Sequence, residues 1–188
     1  MESVDKMKRH VSFADDVKEQ NSTFTPQRVP HYSAIKKKTL QLLNEGNYEE
    51  LKKYLISCET SGVSLKSFFV NEGASILDWA LISAPSVQPL GFICESFSND
   101  IIRNLLIRDN FYLLDGFLLS QSCIDKYYQI DNAGYTRRLE KFKLLLNVAP
   151  EEVQGFMNKN TNNISQSVKD SFLIAQQQPR SSNKSIIV

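Results

Sequence analysis

The sequence predicts an all-α domain, an array of short antiparallel helical hairpins, between a disordered N-terminal arm and a disordered C-terminal tail. Three observations support this prediction. Apolar residues recur with a helical period almost throughout 33–176. No stretch of that range alternates cleanly between apolar and polar side chains, as a half-buried strand would. Glycine, proline, asparagine and serine interrupt the pattern at short intervals, so we expect about eight to ten short helices.

The two ends of the chain, residues 1–32 and 177–188, are predicted to be disordered. The N-terminal arm has only scattered large apolar residues, and Pro26 and Pro30 remove backbone donors and disfavour helix. The C-terminal tail begins with glutamines and continues with Pro179 and polar residues. Neither end offers enough apolar surface to offset the entropy of ordering it. The helical domain is therefore expected to span 33–176.

Helix boundaries are predicted from capping residues and helix breakers. Ser33 is expected to cap the first helix, which ends at Gly46. Asn47 is expected to cap the second helix, with Glu50 three residues later completing a capping box. Thr136 is expected to cap a helix nearer the C-terminus. The remaining helices are predicted at 75–83, 89–97, 100–108, 111–120, 137–147, 150–158 and 165–176.

Two parts of the domain share one apolar pattern, which predicts repeated helical hairpins. The pattern is a pair of leucines, an asparagine and two further leucines at the same spacing. It occurs at Leu42, Leu43, Asn47, Leu51 and Leu55, and again at Leu105, Leu106, Asn110, Leu114 and Leu118. Each unit would be a helix, a turn and an antiparallel helix, and stacking of neighbouring units would bury their open apolar faces.

The segment Gly73-Ala74-Ser75-Ile76-Leu77-Asp78-Trp79-Ala80 resembles the start of an ankyrin repeat. In that family a glycine makes a turn, a hydroxyl residue caps the first helix, and a leucine and an alanine pack on the neighbouring hairpin. Here Ile76 stands in place of the usual proline, and Asp78 in place of the usual histidine. The resemblance implies a divergent ankyrin-like stack over about residues 36–158. A helical bundle or another α-solenoid is the alternative.

Composition and charge leave few function classes open. The chain has 188 residues and a formal net charge of +1, so its overall charge favours neither nucleic acid nor an anionic membrane. The two histidines, His10 and His31, both lie in the arm, so the domain has none for a catalytic triad. Cys58, Cys94 and Cys123 lack metal-binding or redox spacing, and reduced thiols suit the cytoplasm. We therefore expect a cytoplasmic protein without enzyme activity, cofactor, metal or membrane span.

The arm contains a short basic and apolar motif, Lys8-Arg9-His10-Val11-Ser12-Phe13-Ala14-Asp15-Asp16. Val11 and Phe13 are two residues apart, so in an extended peptide both side chains lie on one face and can enter two apolar pockets. Such a peptide binds by adding a strand to an exposed sheet edge of its partner. Lys8 and Arg9 can meet an acidic rim, which contributes steering and register more than raw affinity.

This motif resembles the docking peptide of the regulators of type 1 protein phosphatase, in which a basic residue precedes Val or Ile, any residue, and Phe or Trp. The resemblance implies that the catalytic subunit of that phosphatase binds Lys8, Arg9, Val11 and Phe13. Myosin-phosphatase targeting subunits also place such a motif just before ankyrin repeats, which is an analogy at the level of the fold.

Ser12 is a candidate phosphorylation site. Arg9 lies three residues before it, as basophilic kinases prefer. A phosphate would add about −1.5 to −2 charge between the two apolar anchors, which should weaken docking against an acidic rim.

These observations predict a non-catalytic regulatory or targeting subunit. It would dock the phosphatase through Arg9-His10-Val11-Ser12-Phe13 and bind a second protein partner through its helical body. The alternative is a host-directed effector of an intracellular bacterium, because the chain is rich in Asn, Lys, Ile and Ser, as in proteins of AT-rich genomes. Such an effector would act in the host cytoplasm and could recruit a host phosphatase through the same peptide. A third class is an enzyme that uses a cysteine, which would need a nearby base.

Overall fold

The structure, a computed structural model, describes residues 31–127 and 131–177. These residues form eight α-helices, and no strand occurs among them, so the all-α prediction is confirmed for this part of the chain. The helices are α1 (Tyr32–Glu45), α2 (Tyr48–Thr60), α3 (Leu65–Asp78), α4 (Gln88–Ser96), α5 (Asn99–Tyr127), α6 (Asn132–Val148), α7 (Pro150–Lys159) and α8 (Gln166–Gln177). A π-helical segment (Trp79–Ser83) continues α3, and a 3-10 turn (Thr161–Asn163) precedes α8.

The turn between α1 and α2 lies where the sequence predicts it. Gly46 follows α1 in the left-handed region, at φ 71°, where a residue without Cβ is favoured. The amides of Gly46 and Asn47 donate to the carbonyls of Leu43 and Leu42, at 3.2 and 2.9 Å. These bonds satisfy carbonyls that the end of a helix would otherwise leave without donors.

The predicted caps of the first two helices are wrong in detail. α1 begins one residue after His31, whose ring Nδ1 accepts from the amide of Ser33 at 3.3 Å, so His31 rather than Ser33 is the N-cap. Asn47 does hold the cap position of α2, but its side chain makes no capping hydrogen bond. The capping box predicted with Glu50 is therefore not formed.

α3 begins at Leu65, ten residues earlier than the sequence pattern predicts. Its cap is Ser64, whose hydroxyl accepts from the amide of Ser67 at 3.2 Å. Because α3 runs without interruption through Gly73 and Ser75, the predicted turn at Gly73 and cap at Ser75 are wrong. The ankyrin-like stack as a whole stays a prediction.

Gly73 instead permits a close approach between α3 and α5. A Cβ at this position would lie 2.9 Å from Cδ1 of Leu105 and 3.1 Å from the ring of Phe69. Those distances are shorter than ordinary van der Waals contact, so a larger residue would push the two helices apart or displace the Leu105 side chain.

α5 is broken in its middle, at 108–111. The residues on both sides of this stretch are helical. Arg108 is extended, at ψ 146°, and Asp109, Asn110 and Phe111 have left-handed φ values of 50°, 58° and 65°. This conformation costs roughly 1–2 kcal/mol for a residue with a Cβ and is best tolerated by Asp and Asn. The Phe111 ring packs on Phe156 of α7, with centroids 5.3 Å apart. The predicted separation of two helices near this point is confirmed, although the second half runs on to the end of α5.

The predicted start of α7 at Pro150 is confirmed, and the bounds of α7 and α8 lie within one residue of the prediction, whereas α6 begins five residues earlier than predicted. The cap of α6 differs from the prediction. It is Asp131, whose Oδ1 accepts from the amide of Gly134 at 2.7 Å. Thr136 lies one turn inside the helix, where its hydroxyl donates to the carbonyl of Asn132 at 2.8 Å.

All eight helices contribute to one hydrophobic core. Phe142 of α6 is buried in this core and contacts Phe117 of α5 and Phe172 of α8, with ring centroids 5.4 and 5.6 Å apart. α6 thus packs between α5 and α8 and positions the side chains described below. Within 31–127 and 131–177, no helix has the length and apolar character needed to cross a bilayer.

Two helical glycines provide a matched test of the α3–α5 approach. Gly155→Ala should raise the free energy of unfolding by about 0.5–1 kcal/mol, because alanine favours helix and no atom lies within 4 Å of the new Cβ. In Gly73→Ala the contact of the new Cβ with Leu105 should cancel that gain. The free energy of unfolding of this variant should be at least about 1 kcal/mol lower than that of Gly155→Ala. Urea unfolding of both variants measures the difference, and equal stabilisation would contradict the close approach.

Candidate functional site

The side chains that the sequence predicts as binding residues, Lys8, Arg9, Val11 and Phe13, lie outside the described residues. The candidate phosphorylation site, Ser12, lies there as well. The docking motif therefore stays a prediction, and the structural features of functional interest belong to the helical body.

A pocket of about 450 Å³ opens where the π-helical segment meets α5 and the first turns of α6. That volume is in the range of small-molecule sites. The pocket has an apolar wall and a charged side, and we call it the cationic pocket. The wall consists of Ile82, Ala84, Pro85 and Ile124, and the cations are Arg137, Arg138 and Lys141.

The π-helical segment presents a backbone carbonyl to the cationic pocket. The amide of Ala84 donates to the carbonyl of Trp79 at 2.9 Å, which is the longer bond of a π-helix. In an α-helix the carbonyl of Leu81 would accept from residue 85, but Pro85 has no N–H. Lys141 takes that place, since its Nζ donates to the Leu81 carbonyl at 2.7 Å. The ammonium thus closes the end of the α3 and π-helical unit.

Arg137 makes a parallel contact from the same helix. Its Nη1 donates to the carbonyl of Pro85 at 2.9 Å. Because Arg137 and Lys141 are four residues apart on α6, they lie on one face of that helix. Their hydrogen bonds hold this face against the segment between Leu81 and Pro85.

Lys141 is in an unusual electrostatic position for a lysine. The residue is only 5% exposed. Burial, with a further contribution from the charge of Arg137, lowers the pKa of the Lys141 ammonium to about 8. Among the described residues no carboxylate lies within 4 Å of either cation.

Arg138, the third cation of the pocket, is fully buried and neutralised. Its Nη1 and Nη2 bond to the two carboxylate oxygens of Asp125 at 3.0 and 2.6 Å, a bidentate pair. Nε donates to Oε1 of Gln121 at 3.1 Å, Nη2 to the Gln121 carbonyl at 3.4 Å, and Nη1 to the hydroxyl of Ser167 at 2.9 Å. The guanidinium therefore joins α6 to α5 and to the first turn of α8.

Asp125 has a second role at the start of α8. Its Oδ2 accepts a hydrogen bond from the hydroxyl of Ser165. The same hydroxyl accepts from the amide of Val168 at 3.3 Å, and Ser122 accepts from the amide of Ser165 at 3.2 Å. Side chains of α5 thus hold the beginning of α8. Through Ser165 and Ser167, this part of the chain also contacts the buried ion pair.

The cysteines offer little support for thiol chemistry. Cys58 and Cys94 are buried, and Cys123 is exposed. Burial raises the pKa of the Cys94 thiol to about 12, so this side chain is almost entirely protonated near neutral pH. No group of three or more His, Cys, Asp and Glu side chains that could hold a metal ion occurs in the described ranges.

A second surface feature lies on the later half of α5. Tyr112, Leu119 and Tyr127 are 64%, 51% and 68% exposed, and Cys123 is also exposed. Their spacing of seven, four and four residues places them along one face of the helix. We call these four side chains the α5 row.

Sequence reasoning did not identify the cationic pocket, although one signal was present. Arg138 and Lys141 precede the buried Leu145 by seven and four residues, so both occupy positions at which an amphipathic helix normally carries apolar side chains. Charged residues at such positions are rarely buried without a partner or a role. Their partners are 13 and 60 residues away in the chain, and local pattern cannot find them.

Comparisons of the chain with family models, with curated proteins and with solved structures give no match.

The Arg138–Asp125 pair should be strongly coupled in stability. Asp125→Leu leaves a buried guanidinium without its counter-charge and should lower the free energy of unfolding by about 3–5 kcal/mol. The double variant Asp125→Leu/Arg138→Met should lose much less than the sum of the two single variants. Urea unfolding of the four proteins measures the coupling.

The exposed pair formed by Lys38 and Glu50, with 3.7 Å between Nζ and Oε1, is the control. Its double-mutant cycle to alanine should give a coupling of no more than about 1 kcal/mol, because both side chains are well solvated. If the Arg138–Asp125 cycle gave the same small coupling, the buried network would contribute no specific stability.

The lowered pKa of Lys141 predicts a pH-dependent stability difference. The unfolded chain has the ordinary lysine pKa of 10.5, so above about pH 8 the unfolded state binds more protons than the folded state. The contribution of Lys141 to the free energy of unfolding should therefore rise with pH. Relative to Lys141→Met, the wild type should gain roughly 1–3 kcal/mol between about pH 7 and pH 10.

Urea unfolding at several pH values measures this difference, and titrations common to both proteins cancel. Lys143→Met removes a more exposed lysine of the same helix, whose ammonium pairs with Glu140. This variant shows how the loss of a lysine charge from α6 changes the free energy of unfolding over the same pH range. A wild-type advantage that does not change with pH would show that Lys141 keeps an ordinary pKa.

Proposed function

We propose that this protein is a non-catalytic interaction protein that docks the catalytic subunit of a type 1 protein phosphatase through Arg9-His10-Val11-Ser12-Phe13. The observation that carries the proposal is the spacing of Val11 and Phe13 behind Lys8 and Arg9. In a strand added to a sheet edge, Val11 and Phe13 enter apolar pockets on the same side. Lys8 and Arg9 meet acidic groups at the rim.

The energetics of such a peptide favour a modular arrangement. Burying one valine and one phenylalanine contributes about 1.5–3 kcal/mol each, part of which is lost to ordering the peptide. The motif alone therefore binds modestly. Contacts between the phosphatase and the helical body, or a partner held by that body, raise the apparent affinity through effective concentration.

The helical body is proposed to bind a second protein partner. The α5 row supports this role, since it carries large apolar side chains that the body itself does not cover. An ankyrin-like or other α-solenoid arrangement would suit the same role, because stacked hairpins expose extended surfaces for partners. In this proposal the body selects the location at which the phosphatase acts.

Phosphorylation of Ser12 is proposed to release the phosphatase. Arg9 supplies the basic residue three positions before it. The added negative charge would lie between the two anchors and face the acidic rim that Lys8 and Arg9 approach.

A binding assay with full-length protein tests the docking proposal. Wild-type protein should bind purified type 1 phosphatase catalytic subunit. Val11→Ala/Phe13→Ala should weaken binding at least about tenfold, because both apolar anchors are lost. Ser12→Glu should weaken it by a smaller factor. Surface plasmon resonance with immobilised phosphatase measures the three affinities.

Phe24→Ala/Val29→Ala is the matched control, because it removes the same residue types from the same arm outside the motif. This variant should bind as the wild type does. The proposal is wrong if the wild type does not bind the phosphatase, or if the two double variants bind equally well.

A further inference from the structure

Among the described residues, two of the three cations that line the cationic pocket have no carboxylate partner. Arg138 is paired with Asp125, but Arg137 and Lys141 have no carboxylate within 4 Å in the described part of the chain. The lining also contains the carboxylate of Asp131. That carboxylate caps α6 by accepting from the Gly134 amide at 2.7 Å. It forms no ion pair with a Lys or Arg side chain in the described part of the chain.

The two unpaired cations are held in fixed positions and retain donors. Lys141 is anchored by the Leu81 carbonyl at 2.7 Å, and Arg137 by the Pro85 carbonyl at 2.9 Å. Each contact uses only one of several N–H groups on its cation. Because both side chains lie on one face of α6, their remaining donors can converge on one oxyanion.

Part of the lining of the same pocket is apolar. Ile82 and Ile124 are 36% and 37% exposed at its surface, and Ala84 and Pro85 continue the wall. Isoleucine side chains left in contact with water are available for burial by a ligand. The pocket therefore offers both cationic and apolar side chains within about 450 Å³.

We propose that the cationic pocket binds a small organic anion, with a carboxylate or phosphate head between Arg137 and Lys141 and an apolar stem against Ile82 and Ile124. A volume of about 450 Å³ fits a compact molecule, and the cationic groups would fix its orientation. A bound oxyanion also supplies the counter-charge that the buried Lys141 ammonium lacks. This inference does not depend on phosphatase docking.

Amide chemical-shift titration of ¹⁵N-labelled full-length protein tests the proposal. The probes are hexanoate and hexyl phosphate, with hexan-1-ol lacking the charged head and inorganic phosphate lacking the stem. At least one anionic hexyl probe should bind with a dissociation constant of about 1 mM or tighter. The largest shifts should be at Ile82, Ile124 and Gly134. Both control compounds should bind at least about tenfold more weakly.

Two arginine variants separate the pocket from general charge effects. Arg137→Gln should weaken binding of the anionic probe at least about tenfold, since a charge-assisted bond is lost. Arg108→Gln is the matched control, because Arg108 also donates to a backbone carbonyl, that of Val70 at 3.0 Å, and lines a different pocket. Binding to the Arg108 variant should equal that of the wild type.

Several results would overturn the proposal. If neither hexanoate nor hexyl phosphate bound, the proposed site would be excluded. Equal binding of hexan-1-ol would exclude recognition of the oxyanion, and equal binding of inorganic phosphate would exclude the apolar stem. An equal loss of affinity for the anionic probe in the Arg137 and Arg108 variants would show that overall charge, and not the pocket, is responsible. If Arg137→Gln did not fold, wild-type shifts clustered away from Ile82, Ile124 and Gly134 would be sufficient to reject the site.

Discussion

The buried guanidinium of Arg138 joins three helices in the C-terminal half of the molecule. A cation removed from water is tolerated only where its charge and its donors are met, and here Asp125, Gln121 and Ser167 meet them through five hydrogen bonds. These partners lie on α5 and at the start of α8, whereas Arg138 lies on α6. The three helices therefore have little freedom to slide past one another, because a shift of one turn would leave charges without partners. The cationic pocket depends on this alignment, since Arg137 and Lys141 flank the same stretch of α6.

The sequence predicted element types well and tertiary contacts poorly. Helical periodicity located the all-α class, the glycine end of α1, the break in α5 and the proline start of α7, because each is decided by neighbouring residues. The predicted start of α3 is wrong because a glycine in a local pattern indicates a turn, whereas Gly73 permits contact with Leu105 on another helix. The cationic pocket was missed for the same reason. Its bonds join residues 52 and 60 positions apart, and a local pattern carries no record of such pairs.

The length of chain between the proposed docking motif and the helical body limits how far apart they can lie. Phe13 lies 19 residues before the start of α1 at Tyr32. A fully extended chain of that length spans up to about 65 Å. If the proposed docking occurs, a phosphatase at the motif could therefore lie beside the body or well away from it. Docking and recognition by the body are thus geometrically compatible in one complex.

The bond between Lys141 and the Leu81 carbonyl has a consequence for the order in which the protein is completed on the ribosome. Its two ends are 60 residues apart, and synthesis at about 5–20 residues per second separates their appearance by roughly 3–12 s. During that interval Pro85 has no N–H to offer, and the carbonyl at the end of the π-helical segment has only water as a donor. Until Lys141 has been synthesised, the helical unit of α3 and the π-helical segment therefore lacks this hydrogen bond at its end. This hydrogen bond can form only after Lys141, about three-quarters of the way along the chain, has been synthesised.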